Sequence, residues 1–263
     1  MQFVERSIVN DQFGLGRDRG VAVLGGLGAN NNFSYELGIY NGDGRNGTSV
    51  DSNLLYIGRL QFGIGGDDFK FDANSSYATA KAYQITPNFA KSPTFVIGAA
   101  AATIPGLDCA RKTPDGDVCD RVAELEFPQS DFTQITGDIS FKMPWFNIEG
   151  EYDGRWLSPD TGSQDTAYDQ GFRVQAGAFL LPKTFEVAGR FAYIDYDTNS
   201  GVVPPGVSVS KSQWAVTPGL NYYISQDHRW KIQADYSFIR SEFTQNAPRE
   251  DDNVFRDQLQ AYF

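Results

Sequence analysis

Apolar and polar residues alternate one by one along most of this chain. Phe33, Tyr35, Leu37 and Ile39 alternate with Ser34, Glu36, Gly38 and Tyr40. Phe146, Ile148, Gly150, Tyr152, Gly154 and Trp156 alternate with Asn147, Glu149, Glu151, Asp153 and Arg155. A period of two places successive side chains on opposite faces of an extended strand, one face apolar and one wet. The same pattern predicts strands at 21–25, 54–62, 94–103, 135–141, 172–178, 185–193, 213–222 and 230–238. A terminal strand sets Leu259, Ala261 and Phe263 against Arg256, Gln258, Gln260 and Tyr262. Short turns separate some of these strands, at 29–31, Met143-Pro144-Trp145, Leu181-Pro182-Lys183-Thr184 and 225–228. Polar loops separate others, at 41–51, 104–129, 157–167, 199–209 and 243–253. Residues 1–18 read as irregular. Residues 66–93, broken by Pro87 and Pro93, read as a long connection of undefined form.

About eleven strands emerge, many of ten residues or more, where soluble sheets favour five or six. Strands of that length cross a bilayer at a tilt. Short and long connections alternate, and Tyr, Trp and Phe recur near strand ends, as in the turns, loops and aromatic girdles of outer-membrane barrels. The expected fold is therefore all-β, a transmembrane antiparallel up-and-down β-barrel. A soluble sandwich would favour Greek-key links and shorter strands.

Composition narrows the picture further. The 263 residues include 13 Tyr, 20 Phe and 27 Gly, and only 21% are charged. Mean hydropathy is −0.39, and no run approaches the roughly 18 apolar residues of a spanning helix, so a membrane crossing falls to strands. A net charge of −11 argues against a nucleic-acid partner. Cys109 and Cys119 flank a turn at Pro114-Asp115-Gly116 that folds them toward each other, so a disulfide and an oxidising compartment are expected. Met1 is not followed by the basic and apolar regions of a signal peptide. Residues 1–263 are read as a single domain that lacks N-terminal strands. No metal or other cofactor is expected.

If the apolar face meets lipid, the polar face lines a lumen. Alternation assigns Arg59, Lys142, Arg155, Arg173, Arg190, Lys231 and Arg256 inward, with the acids Glu36, Asp138, Glu149, Glu151, Asp153, Glu186 and Asp235. Fixed charges on a conduit select ions by their local field, and a wall this evenly mixed selects weakly. Pairing across strands, which keeps the wall wetted, is the plainer role for any single one of them. An enzyme finds little support. There is no Gly-x-Ser-x-Gly, the single histidine, His228, falls in a turn, and Glu149 and Glu151 are explained by strand alternation.

Several stretches resemble a known family. They are Phe3-Val4-Glu5-Arg6-Ser7, Gly16-Arg17-Asp18-Arg19-Gly20-Val21 and Tyr35-Glu36-Leu37-Gly38-Ile39-Tyr40-Asn41-Gly42. Later come Gly177-Ala178-Phe179-Leu180-Leu181-Pro182-Lys183, Glu186-Val187-Ala188-Gly189-Arg190-Phe191-Ala192-Tyr193, Gly219-Leu220-Asn221-Tyr222-Tyr223 and Lys231-Ile232-Gln233-Ala234-Asp235-Tyr236-Ser237. In order and spacing these resemble the middle and C-terminal parts of the phosphate-selective porin O and P family. The resemblance implies a 16-stranded, homotrimeric porin of the bacterial outer membrane, here without about five strands and a signal peptide. Its function would be diffusion of small hydrophilic solutes or ions, including anions such as phosphate. The family's phosphate-binding residues lie largely in the absent part and the constriction loop, and none is carried over. An envelope scaffold or sleeve, its barrel completed by a partner protein, and a soluble β-rich binding domain are the alternatives. An open sheet edge is not viable in lipid, so something must complete the barrel.

Overall fold

A computed structural model describes residues 2–27, 32–42, 53–65, 93–109, 118–127, 129–160, 162, 164–225, 230–245 and 247–261. The strands are β1 (Gly20–Leu27), β2 (Phe33–Tyr40), β3 (Leu55–Ile64), β4 (Thr94–Leu107), β5 (Ser130–Met143), β6 (Phe146–Pro159), β7 (Ala167–Leu181), β8 (Phe185–Asp195), β9 (Ser210–Tyr223), β10 (Trp230–Phe243) and β11 (Glu250–Ala261). Helix α1 (Ile8–Phe13) precedes β1, and α2 (Val118–Glu124) lies between β4 and β5. None of the described helices is long and apolar enough to cross a membrane.

All eleven strands form one sheet in chain order, each antiparallel to the next. The chain is thus all-β and up-and-down, as the alternation predicts. Register carries each face across many strands. Leu37, Gly58, Ala101, Ile135 and Gly154 follow one another on one face, and Glu36, Arg59, Ala100, Thr136 and Asp153 on the other. The β5–β6 and β7–β8 turns are tight, whereas the loops at the opposite end are longer. We call these the turn end and the loop end.

Burial is inverted relative to a soluble sheet. The apolar face is bare: Leu37, Ile97, Ile139, Val174, Leu220 and Ile232 are exposed, and Phe255 reaches 69%. The polar face is covered: Gln134, Ser140, Asn147, Glu186, Asn221 and Gln233 are all at 5% exposure or less. An apolar surface spread over eleven strands far exceeds the few hundred Å² that soluble monomers leave uncovered. The polar face is covered because the sheet curls around residues 2–13, which are held by side chains of β5, β6, β8, β9 and β10. β1 and β11 are the sheet's two edges.

At the loop end the inner face turns apolar. Leu55, Ile104, Leu107, Phe132, Leu157 and Ala167 pack there with Val122, Leu125 and Phe127 from α2 and its exit, and with Val202. Cys109 and Cys119 are disulfide-bonded, with Cα atoms 5.3 Å apart, and the pair packs against this cluster. The cluster explains where the strands outrun their expected ends. β4 continues to Leu107 rather than Thr103, and β5 starts at Ser130, because inward Ile104, Leu107 and Phe132 no longer follow a polar-inward pattern. β11 starts at Glu250, inside the expected loop, because Glu250, Asp251 and Asp252 pair with Ser241, Arg240 and Ile239. Residues 1–18 are also not wholly irregular. Ser7 caps α1 by accepting the Asn10 N–H at 3.1 Å. The expectations for residues 66–92, for His228 and for the terminal Tyr262 and Phe263 fall outside the described residues.

Candidate functional site

The covered face is built by position. In the long strands every second side chain points inward, so the alternating charges converge there. Arg59, Lys142, Glu149, Glu151, Asp153, Arg155, Arg173, Glu186, Arg190, Lys231, Asp235 and Arg256 all lie on this one face. They do not form one cluster. They break into local pairs, most between neighbouring strands and one, Arg59 with Asp138, reaching from β3 across β4 to β5. Arg59 meets Asp138 at 2.7 Å, Arg173 meets Glu151 at 3.0 Å, Arg155 meets Asp169 at 2.8 Å and Arg256 meets Asp235 at 3.4 Å. Lys142 stands 3.8 Å from Glu149, which also accepts from the Gln175 amide at 2.8 Å. Glu186 accepts from Gln2, from Asn221 at 3.2 Å and from the Tyr223 hydroxyl at 2.7 Å. Asp153 accepts from the Thr136 hydroxyl at 2.6 Å. Its second oxygen, like Ser140 Oγ, has no hydrogen-bond partner among the described residues, and such atoms call for water.

Against this wall lies the segment 2–13, which sequence reasoning missed. It runs from the turn end, where Gln2 reaches β8 and β9, to the loop end, where Phe13 reaches β5. The wall holds mostly its backbone. Asn221 donates to the Gln2 carbonyl at 3.0 Å, and the Val4 N–H donates to Asp235 at 2.7 Å. Arg190 donates one guanidinium arm to the Glu5 carbonyl at 3.0 Å and the other to the Arg6 carbonyl at 3.1 Å. Arg155 donates to the Gln12 carbonyl at 3.1 Å, and Gln134 to that of Phe13 at 2.8 Å. Asn10 adds a side-chain bond to Glu151. Two small positions make room: a Cβ at Gly171 would sit 2.7 Å from the Phe13 ring, and one at Gly177 would strike Gln2.

The other side of the segment turns away from the wall. Glu5, Arg6 and Asp11 are its exposed charges. The Asp11 carboxyl lies above the usual aspartate range, first because of its partial burial and then because of nearby Glu5.

Asp169 and Arg121 also escaped sequence reasoning. Asp169 falls just inside β7, at a position that reads as the edge of a loop, and Arg121 lies on a helix within the cysteine loop. Burial works against the Arg121 charge, but Asp169 and Glu124 outweigh it and hold its pKa above the ordinary arginine value. No group of three or more His, Cys, Asp or Glu suited to a metal occurs among the described residues.

Residues 172–263, from within β7 to the end of the chain, match the family described as phosphate-selective porin O and P. No curated protein matches the chain.

Proposed function

We propose that this chain is the greater part of a porin of the bacterial outer membrane, a water-filled channel through which small hydrophilic solutes and ions diffuse. The observation that carries this reading is the inverted sheet: eleven antiparallel strands with bare apolar side chains on one face and covered, hydrogen-bonded polar side chains on the other. Only a barrel in lipid gives both faces a suitable solvent. The porin match over β7 to β11 supports the same reading.

In this reading the twelve inward charges named above line the pore, and residues 2–13 narrow it. Glu5, Arg6 and Asp11 then face the aperture. Most wall charges are paired with an opposite one or a carbonyl, so the field along the pore is weak, and discrimination between anions and cations is modest. The guanidiniums of Arg59, Arg155, Arg173 and Arg256 already face carboxylates, which leaves little support for a dedicated phosphate path.

Closure follows from direction. β1 and β11 are both odd-numbered in an alternating sheet and run parallel, so an all-antiparallel barrel needs an odd number of further strands between them. We assign residues 1–263 to one such barrel domain, with trimeric assembly proposed from the family resemblance. Planar-bilayer recording of the membrane-inserted protein tests the channel. Discrete, voltage-independent conductance steps with a reversal potential close to zero in a salt gradient are expected. Absence of steps from protein that has inserted would overturn the reading.

A further inference from the structure

At the loop end, one carboxylate joins two structures that are far apart in sequence. Asp169 is 1% exposed and sits between Arg121 of α2 and Arg155 of β6, themselves 2% and 0% exposed. Arg121 grips it with both arms, Nε to Oδ2 and Nη2 to Oδ1, each at 3.1 Å. Arg155 Nη2 reaches the same Oδ2 at 2.8 Å.

Each arginine then continues outward. Arg121 donates to Glu124 at 2.8 Å and to the Asp197 carbonyl at 2.8 Å, and its guanidinium lies over the Tyr196 ring. The Asp197 N–H returns to Asp169 Oδ1 at 3.0 Å. Glu124 also accepts from the Ser210 N–H, so α2 is fastened to the start of β9. The disulfide and the apolar packing of Val122 and Leu125 fix α2 as a cap over the mouth. In the opposite direction Arg155 donates to the Gln12 carbonyl and lies 5.0 Å from the Phe13 ring centroid. The end of the inner segment therefore rests on the same arginine that Asp169 orients.

Removing one partner of a fully buried ion group leaves an uncompensated charge, and the remaining partners must shift to meet it. With Arg121 withdrawn, Asp169 is no longer shared and draws Arg155 toward itself, away from Gln12. We infer that Asp169 is a positioning residue for the inner segment, passing the seating of the disulfide-held cap through Arg155 to Gln12 and Phe13. The inference deepens the porin reading, because it makes the width of the aperture depend on the cap.

The test reads the segment directly. Exposed Asp11 is changed to cysteine (Asp11→Cys) in a Cys109→Ser/Cys119→Ser background and in an otherwise native one. A charged thiol reagent is applied to the membrane-inserted protein. Loss of the disulfide, or Arg121→Gln in the disulfide-bonded protein, is expected to change the labelling rate by roughly fivefold or more. Neither change adds to the effect of Asp169→Asn, and Asp169→Glu recovers part of the native rate. Heat-modifiable gel migration establishes that each variant keeps its barrel, and if Arg121→Gln does not, the cysteine pair carries the test alone. Labelling rates unaffected by loss of the cap's tethers would overturn the inference, as would effects that simply add to Asp169→Asn. A coupled labelling response in protein that conducts nothing would sink the porin reading and leave the coupling standing.

Discussion

The guanidinium of Arg190 lies 4.5 Å from the centroid of the Phe3 ring, stacked on the inner segment. The same side chain holds the Glu5 and Arg6 carbonyls. One residue of β8 thus touches Phe3, Glu5 and Arg6, in a stretch that has few bonds of its own before α1. A planar fork that donates in two directions and stacks on a ring is a task for arginine rather than lysine.

Arg190→Gln should therefore loosen the segment. Two charge-assisted hydrogen bonds and a stacking contact are lost, and the seating weakens by about 2–3 kcal/mol. Single-channel recording should show larger and noisier conductance steps. Arg190→Lys keeps the charge but not the fork and should fall between the two. Unchanged steps in both variants would mean that Arg190 does not hold the segment over the aperture.

The close approach of Phe13 to the wall makes a glycine test specific. Gly171→Ala places a methyl 2.7 Å from the Phe13 ring, where either the ring or the segment must move. Such overpacking costs roughly 1–3 kcal/mol. Gly137 and Gly189 have nothing within 4 Å of an added Cβ, so alanine there should shift stability by no more than about 0.5 kcal/mol. Protease cleavage within residues 2–13, followed on the membrane-inserted protein, should accelerate only for Gly171→Ala. Equal cleavage in all three variants would remove the steric account.

In the porin reading, Asp11 gives the pore a pH dependence. Its raised pKa, from partial burial and then from nearby Glu5, means that it takes up a proton at a higher pH than an ordinary aspartate. The aperture then loses one negative charge, so the reversal potential in a salt gradient should move toward anion preference. The sign for stability follows from the same shift: a raised carboxyl pKa favours the folded-in segment at low pH, and that contribution is lost as pH rises through the folded value. Asp11→Asn should remove this step from the pH profile. A profile that is unchanged by Asp11→Asn would assign the titration elsewhere.

What could be read from the sequence follows from which solvent each face meets. The alternation of Phe146 to Trp156 and of Phe185 to Tyr193 was legible because the bare apolar face and the covered polar face impose opposite demands at every step, whatever the neighbouring strands do. The inner segment was not legible. Most of its anchors are backbone groups, the Gln2, Glu5, Arg6, Gln12 and Phe13 carbonyls and the Val4 N–H, which carry no side-chain signature. Only Ser7, three residues before Asn10 in a capping arrangement, could have marked α1. Asp169 was hidden for a different reason. Around it Tyr168 and Gln170 occupy the outer face near the loop end, where a polar belt replaces the apolar one and the alternation fades. The charges of Glu250 to Asp252 disguised the start of β11 in the same way, because Arg240 answers Asp251 across the strands on the outer side of that belt.

Neighbouring positions on β7 test the orientation of the whole sheet. Val174 is on the bare apolar face near the middle of its strand, and Gln175, the next residue, points inward to Glu149. If the bare face meets lipid, Val174→Lys buries an ammonium near the bilayer midplane at a cost of roughly 2–4 kcal/mol. Gln175→Lys replaces one donor to Glu149 by another and should change stability by less than about 1 kcal/mol. Urea unfolding from phospholipid vesicles measures both. In a soluble domain the exposed Val174 would be the harmless position and the covered Gln175 the sensitive one, so the order of the two effects, more than the size of either, decides which solvent the apolar face was built for.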